Sequence, residues 1–249
     1  MTSLALPALG VGTLARALIT LRRKPRPLPG VSNSSFVSEP LDMEHVAQYR
    51  RLLRFADDNR VPLTYFYLQA QRAQLAVMLN RAFSFPVPGL VHVENHLRRL
   101  GHVDSGRPFE VEVQAIQQPP SESGALYVML EVLFKQDGVG CVSCSSRYLA
   151  RRATRKPPQG GTAESPPEAG VLVESWSLPA DIGRRYAQLS GDFNPIHLWP
   201  WSARLFGFKR PIAHGMYSVG KVLAALEAME NRPVSQLTAR FLKPIPLPG

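Results

Sequence analysis

The sequence predicts an α+β fold made of two unequal copies of one plan, a long helix followed by antiparallel strands. Three observations lead there. Residues 151–170 are rich in proline and glycine and show no apolar pattern, which marks a linker. Before the linker, one helical pattern precedes four strand-like runs. After it, a second helical pattern precedes a single strand-like run, which repeats the opening of the plan. The chain thus divides into a basic N-terminal arm (1–30), a first copy (31–150), the linker (151–170) and a second copy (171–249). Hydrophobic residues make up 45% of the 249, enough for a packed core rather than a disordered chain.

The arm comes first. Residues 4–14 are apolar, but no Lys or Arg precedes them, so the basic start of a signal peptide is missing. Arg16 interrupts the run well short of the ~20 residues that span a bilayer. Val11, Leu14, Leu18 and Leu21 follow a helical stripe, read as a helix packed on the rest of the protein. Peripheral membrane contact through this stripe and its basic end is the alternative. Arg16, Arg22, Arg23, Lys24 and Arg26 all precede the first acid, Glu39, and carry half of the net charge of +10. Such a cluster suits nucleic acid, acidic lipid, an acidic carrier protein or the phosphates of coenzyme A. No helix-turn-helix, zinc-finger or RNA-binding pattern accompanies it, which sets nucleic acid aside.

The first copy reads as a helix over 65–81, with Leu68, Leu75, Met78 and Leu79 among its apolar positions. A strand-like run follows at 89–97. Phe109, Val111, Val113 and Ala115 then alternate with Glu110, Glu112 and Gln114, the pattern of a half-buried strand. A longer apolar strand at 125–134 turns through Asp137-Gly138 into another at 139–148. That last strand holds the chain's two cysteines, Cys141 and Cys144. No second pair offers the two further ligands of a structural zinc. Three residues apart in a strand, their side chains are expected on opposite faces, as ordinary strand cysteines. With no disulfide framework, a reducing, cytoplasmic compartment fits.

The second copy has its long helix over 215–230, with Met216, Val219, Leu223, Leu226 and Met229 on one face. Asn231-Arg-Pro233 stops it, and a strand follows at 235–242. The first copy continues from the equivalent point with three more strands. By this internal repeat the second copy is expected to lack roughly 40 residues, leaving its helix face partly uncovered.

Chemistry gathers in one stretch. Tyr186-Ala-Gln-Leu ends a helix, Ser190-Gly191 breaks it, and Asp192 and Asn194-Pro195 are turn formers, so the path to His197 is a loop. A loop lets an acid and a histidine five residues apart converge on one water, the equipment of acid–base chemistry. Asn194 could orient either partner. His214-Gly215 precedes the long helix, where backbone N–H groups are unpaired and the dipole is positive. With no side chain at Gly215, a substrate carbonyl could approach its N–H as in an oxyanion hole. From spacing alone, an Asx-turn beside an unremarkable histidine stays open as the alternative.

Taken together, residues 186–216 resemble the hydratase 2 signature of the MaoC-like dehydratase family. The match runs from Tyr186 through Ser190-Gly-Asp-Phe-Asn-Pro-Ile-His197 and Ala203 to Gly207-Phe208 and His214-Gly-Met216. The first copy resembles, more softly, members with two fused hot-dog repeats, through Pro62-Leu-Thr-Tyr65, Phe83-Ser-Phe-Pro86 and Gly89-Leu-Val-His-Val-Glu-Asn95. The resemblance implies a double hot-dog, two antiparallel sheets each wrapped on a central helix. It implies reversible hydration of trans-2-enoyl thioesters, or dehydration of (R)-3-hydroxyacyl thioesters. Asp192 and His197 would activate the water, Asn194 would steady the loop, and Gly215 with His214 would bind the thioester oxygen. Leu223 departs from the family, some of whose members carry a hydroxyl there.

The first copy has no Asp-x-Asn-Pro-x-His, so the resemblance makes it the degenerate repeat, which makes room for the acyl chain and completes the pseudo-dimer. His92, His96 and His102 have no acid at motif spacing and read as structural. The implied substrate is an acyl thioester of coenzyme A or of acyl carrier protein, with no cofactor and no metal. A homodimer or a partner subunit is compatible with the incomplete second copy. The rivals are a hot-dog thioesterase and a non-catalytic acyl-thioester binder.

Overall fold

The computed structural model describes residues 4–249 other than 8, 10, 27, 29–31, 123 and 152–173, with backbone alone at 11, 14 and 151. The linker read at 151–170 therefore lies almost wholly outside the described residues. Among those described, no helix is long and apolar enough to cross a membrane.

One mixed sheet of seven strands organises the molecule. Its strands are β1 (Leu4–Ala5), β2 (Ser32–Val37), β3 (Val91–Arg99), β4 (Glu110–Gln117), β5 (Leu126–Gln136), β6 (Val139–Arg151) and β7 (Gln236–Arg240). They lie in the order β1-β2-β4-β5-β6-β3-β7. Only β1–β2 is parallel; the other pairs are antiparallel. The predicted alternation holds: Val111, Val113 and Ala115 are buried while Glu110 and Gln114 are exposed. Asp137 and Gly138 both take positive φ (52° and 75°), the geometry that closes the β5–β6 hairpin between Gln136 and Val139.

On this sheet lies α3 (Phe66–Leu79), matching the helix read at 65–81. Phe66 meets Phe109 and Phe134 edge-to-face at 6.0 and 5.7 Å, while Ala70 and Ala73 let the backbone come close. Within the first copy, one strand and one α-helix carried no expectation. One is β2, polar in Ser32-Asn-Ser-Ser but held by full backbone pairing with β4. The other is α2 (Met43–Leu53), whose N-cap Asp42 accepts from the Glu44 and His45 N–H groups, a cap of about 1 kcal/mol.

The second copy adds α4 (Ile182–Ser190), α5 (Pro200–Leu205), α6 (Gly215–Glu230) and β7. Here the structure corrects the expectation of two sheets, each on its own helix. β7 pairs with β3 from Glu94–Arg240 to Arg98–Gln236, so the second copy extends the first copy's sheet and satisfies one of its edges. The helix face expected to be partly uncovered is exposed toward its C-terminal end. Met216 and Leu223 are buried, Val219 is half-buried, and Leu226 is 43% exposed. The cover comes from the first copy: α6 packs on α2 and on the turn Leu63–Tyr65, passing so close that Gly220 faces Leu53 and the Tyr49 hydroxyl.

Two further readings change. In α1 (Val11–Ile19) and the turn after it, Ala17 and Thr20 face inward, while Leu18, Ile19 and Leu21 are exposed. The packed side is thus not the predicted stripe, whose Val11 and Leu14 side chains lie outside the described residues. Arg23 does not face a partner either; its guanidinium donates to the Met78, Leu79 and Asn80 carbonyls at the end of α3. In β6, both cysteines are buried rather than one on each face, because the register shifts beside Cys141. Their sulfurs keep separate company: Cys144 contacts Asn95 and Ser146, and Cys141 contacts Gln136 and Val139.

Candidate active site

α4 ends at Gly191, whose φ of 74° turns the chain out of the helix into the loop. Ser190 Oγ accepts from the Asp192 N–H (3.2 Å), and Asp192 Oδ1 accepts from the Asn194 N–H (3.2 Å). Asn194 Oδ1 in turn accepts from the Ile196 N–H (3.3 Å) and caps the short turn Pro195–His197. Each polar residue of the motif thus holds the backbone of the next. Outside bonds pin the loop as well: Ser202 Oγ donates to the Pro195 carbonyl (2.7 Å), and Arg184 donates to the Leu198 carbonyl (3.0 Å). α4 lies so near that a Cβ at Gly183 would overlap the His197 carbonyl oxygen. That close approach demands glycine.

Asp192, His197 and His214 come together, as the sequence predicted for the first two. His197 and His214 stack with centroids 3.7 Å apart. His197 Nδ1 lies 2.8 Å from the Ile212 carbonyl. A carbonyl only accepts, so Nδ1 carries the proton and Nε2 keeps its lone pair. His214 Nε2 donates to the Asp192 backbone carbonyl (3.0 Å), and its Nδ1 is buried without a hydrogen-bond partner among the described residues. Burial lowers the pKa of both rings, to about 3 for His214, so both are neutral near pH 7. For the Asp192 carboxyl, burial pushes the pKa up. His214, His197, the Gln71 amide and the Asn194 N–H outweigh burial and hold it below the usual carboxylate range. The site therefore pairs a carboxylate with a neutral imidazole whose basic nitrogen is unspent. The same three residues offer ligand atoms within 4.8 Å of one another, the one such group among the described residues that could hold a divalent cation.

His214 also N-caps α6 without a side-chain cap bond, so the N–H of Gly215 belongs to the unpaired first turn. The space over Gly215 is not open on every side. Phe241 lies there, its ring 2.6 Å from where a Cβ would stand.

Sequence reasoning missed what the first copy contributes. Gln71, on α3, donates from Nε2 to Asp192 Oδ2 at 2.9 Å. The segment 65–71 lacks the motif, yet it supplies a hydrogen bond to the site's carboxylate. A signal existed: Gln71 and Gln74 are polar positions in a helix buried on more than one face. His92 is also nearer the site than its spacing suggested. Its ring stacks on Tyr67 and Tyr148 (centroids 5.6 and 4.8 Å) and tilts against Phe241 (4.9 Å). Burial lowers its pKa to about 4, and its Nε2 has no hydrogen-bond partner among the described residues. A bulge at Val93 sets this up, since the Val93 carbonyl accepts from the Phe241 N–H. His96 instead faces outward on β3, where Nδ1 lies 2.6 Å from Thr238 Oγ1, in keeping with a structural role.

Comparison with known proteins adds an independent line. The family model of the MaoC like domain matches residues 162–249. The chain is 32% identical over 214 residues to 3-hydroxyacyl-thioester dehydratase X of Mycobacterium tuberculosis, covering 84% of this chain and 75% of that protein. It is 28% identical over 170 residues to the peroxisomal enoyl-CoA hydratase 2 of Arabidopsis thaliana, covering 66% of this chain and 53% of that protein. The crystal structure of HtdX from Mycobacterium tuberculosis superposes with a TM-score of 0.69 at 29% identity, over 87% of this chain and 85% of that one. A conserved hypothetical protein of the same organism, with a double hotdog fold, gives a TM-score of 0.50 at 12% identity, over 88% and 81%. That likeness concerns the fold alone.

Proposed function

The chain belongs to the MaoC-like dehydratase family, and from that premise we propose that it hydrates trans-2-enoyl thioesters and dehydrates (R)-3-hydroxyacyl thioesters at Asp192 and His197. The observation that carries this reading is the fixed tautomer of His197. Its Nδ1–H is spent on the Ile212 carbonyl, which leaves Nε2 as a base beside the Asp192 carboxylate. Water held between the two adds its oxygen to C3 as His197 Nε2 takes a proton. The electron pair of the C2–C3 double bond moves toward the thioester carbonyl. The N–H of Gly215, at the positive end of α6, stabilises the charge on that oxygen. A proton returned by the pair to C2 completes the addition of water, and no electron leaves the substrate. Asn194 keeps the loop in shape through the Ile196 N–H, and His214 props His197 from below.

The names of the two relatives support the substrate class, since one is a 3-hydroxyacyl-thioester dehydratase and the other an enoyl-CoA hydratase. The test is turnover of crotonyl-CoA with two readouts, loss of the enoyl absorbance and release of free thiol. Loss of absorbance with an (R)-3-hydroxyacyl product and no thiol is expected. Thiol release would mean a thioesterase, and no turnover of the native full-length protein would mean a binder.

A further inference from the structure

We propose that a basic cavity on the side of α6 facing α2 and α4 is a binding site for a nucleotide carrying at least two phosphate charges. The cavity measures about 420 Å³. Arg51 and Arg54 line it from α2 and its C-cap, Arg185 from α4, and Tyr217 and Lys221 from α6. Trp176 and Glu174 close it from the strand-free segment before α4. Four cations thus meet one acid, Glu174, which accepts from Trp176 Nε1 at 2.5 Å and leaves the cations in excess.

The cations are poorly neutralised. Among the described residues, only Arg51 of the four has an ion pair, with Glu44 at 2.9 Å. The Arg54 and Arg185 guanidinium groups have no hydrogen-bonded or ionic partner among the described residues. Lys221 is 6% exposed and forms no salt bridge among the described residues; its ammonium lies over the Trp176 ring at 5.2 Å. Burial first, and then the Arg54 charge, lowers its pKa against the opposing pull of Glu174. A buried cation with so little counter-charge is costly, so an anion that fills the cavity relieves an existing penalty. Two free guanidinium forks match phosphate oxygens better than any neutral group. The Trp176 and Tyr217 rings give the remainder of the ligand an aromatic wall, which suits a base.

The cavity adjoins the site already described. Tyr217 stands two residues after Gly215, and the Tyr186 ring touches both His214 (5.0 Å) and Tyr217 (5.7 Å). Lys221 is roughly 9 Å from Gly215 along the helix axis, at 1.5 Å per residue. Two sources could supply the ligand: the nucleotide end of the substrate's thioester carrier, or a free nucleotide. The first source rests on the proposed function; the site itself does not.

The experiment is calorimetric titration of the full chain with adenosine 3′,5′-bisphosphate, with adenosine as the uncharged control. Binding of the bisphosphate but not of adenosine is expected. Arg185→Gln, on the exposed rim, and Lys221→Met, of similar volume, should each weaken it about tenfold, with melting curves confirming the fold. No bisphosphate binding up to millimolar concentration, or equal binding by the wild type and both variants, overturns the proposal. Kinetics then separate the sources. If the carrier is the ligand, Arg185→Gln raises KM for a coenzyme A enoyl ester about tenfold relative to its N-acetylcysteamine counterpart, which has no phosphate. If the two esters shift alike while the bisphosphate binds, the ligand is a free nucleotide. If neither ester turns over in the wild type, the proposed function fails while the titration still judges the cavity.

Discussion

Gln71 reaches Asp192 across 121 positions of sequence, and its amide is a side-chain donor that lies 2.9 Å from the carboxylate. A hydrogen bond to a charged group contributes about 1.5–3 kcal/mol. Gln71→Ala should therefore lower kcat/KM by about tenfold or more, and it should raise the Asp192 pKa, read from the titration of that carboxyl by NMR, because Asp192 loses a group that keeps it ionised. A loss of rate with an unmoved carboxyl titration would show that Gln71 matters for packing alone. The acid limb of the wild-type pH profile is a second expectation. A base must be neutral, and burial holds the His197 pKa below its ordinary value. Activity should persist as pH falls past about 6.5, where an exposed histidine would already be charged; a limb centred at or above that value would contradict the burial argument. Asp192, Asn194, His197, His214 and Gly215 were legible in the sequence because one loop and one helix start bring them together. Gln71, His92 and Phe241 were not, because their contacts with the site depend on how the two copies pack.

Among the elements, α4 matters for its closeness to the loop that carries Asp192 and His197. A Cβ at Gly183 would lie 2.0 Å from the His197 carbonyl oxygen, so any side chain must push the two apart. Gly183→Val should cost about 1–3 kcal/mol of stability, the usual range for overpacking, and should lower kcat by displacing the base. Urea denaturation and initial rates check this, and full activity at unchanged stability would refute it. The long helices α3 and α6 and the strands from β3 to β7 could be read from periodicity, since each has one strongly patterned stretch. β2 could not, because its Ser32-Asn-Ser-Ser start has little strand preference and its place comes from pairing with β4. The face of α1 was misread for a related reason. Its apolar stripe was visible, but which side packs is decided by small Ala17 and by Thr20, whose hydroxyl accepts from the Val87 N–H.

At the scale of the whole molecule, the internal repeat led to an expectation of two sheets, and the strand pairing joined them into one. A repeat in sequence specifies its own elements, but not that β7 would close on β3. Burial of histidines has a global consequence as well. His92 and His214 have folded pKa values of about 4 and about 3, below their ordinary value of 6.5. The unfolded chain therefore binds more protons between those limits, and stability present above pH 6.5 is lost as pH falls. Two such groups should together cost about 3–4 kcal/mol between pH 7 and pH 5. Denaturant titrations at the two pH values check this, and equal stability would mean that neither ring is shielded in solution. The central claim is that Asp192 and His197 act as one unit on one water. The measurement that tests it most directly is crotonyl-CoA hydration by Asp192→Asn, by His197→Ala and by the double variant. Each single change should lower kcat by about 10²-fold or more, and the double variant should be about as slow as the worse single one, since neither residue serves without the other. Near-normal turnover by either single variant, with folding intact, would contradict the account.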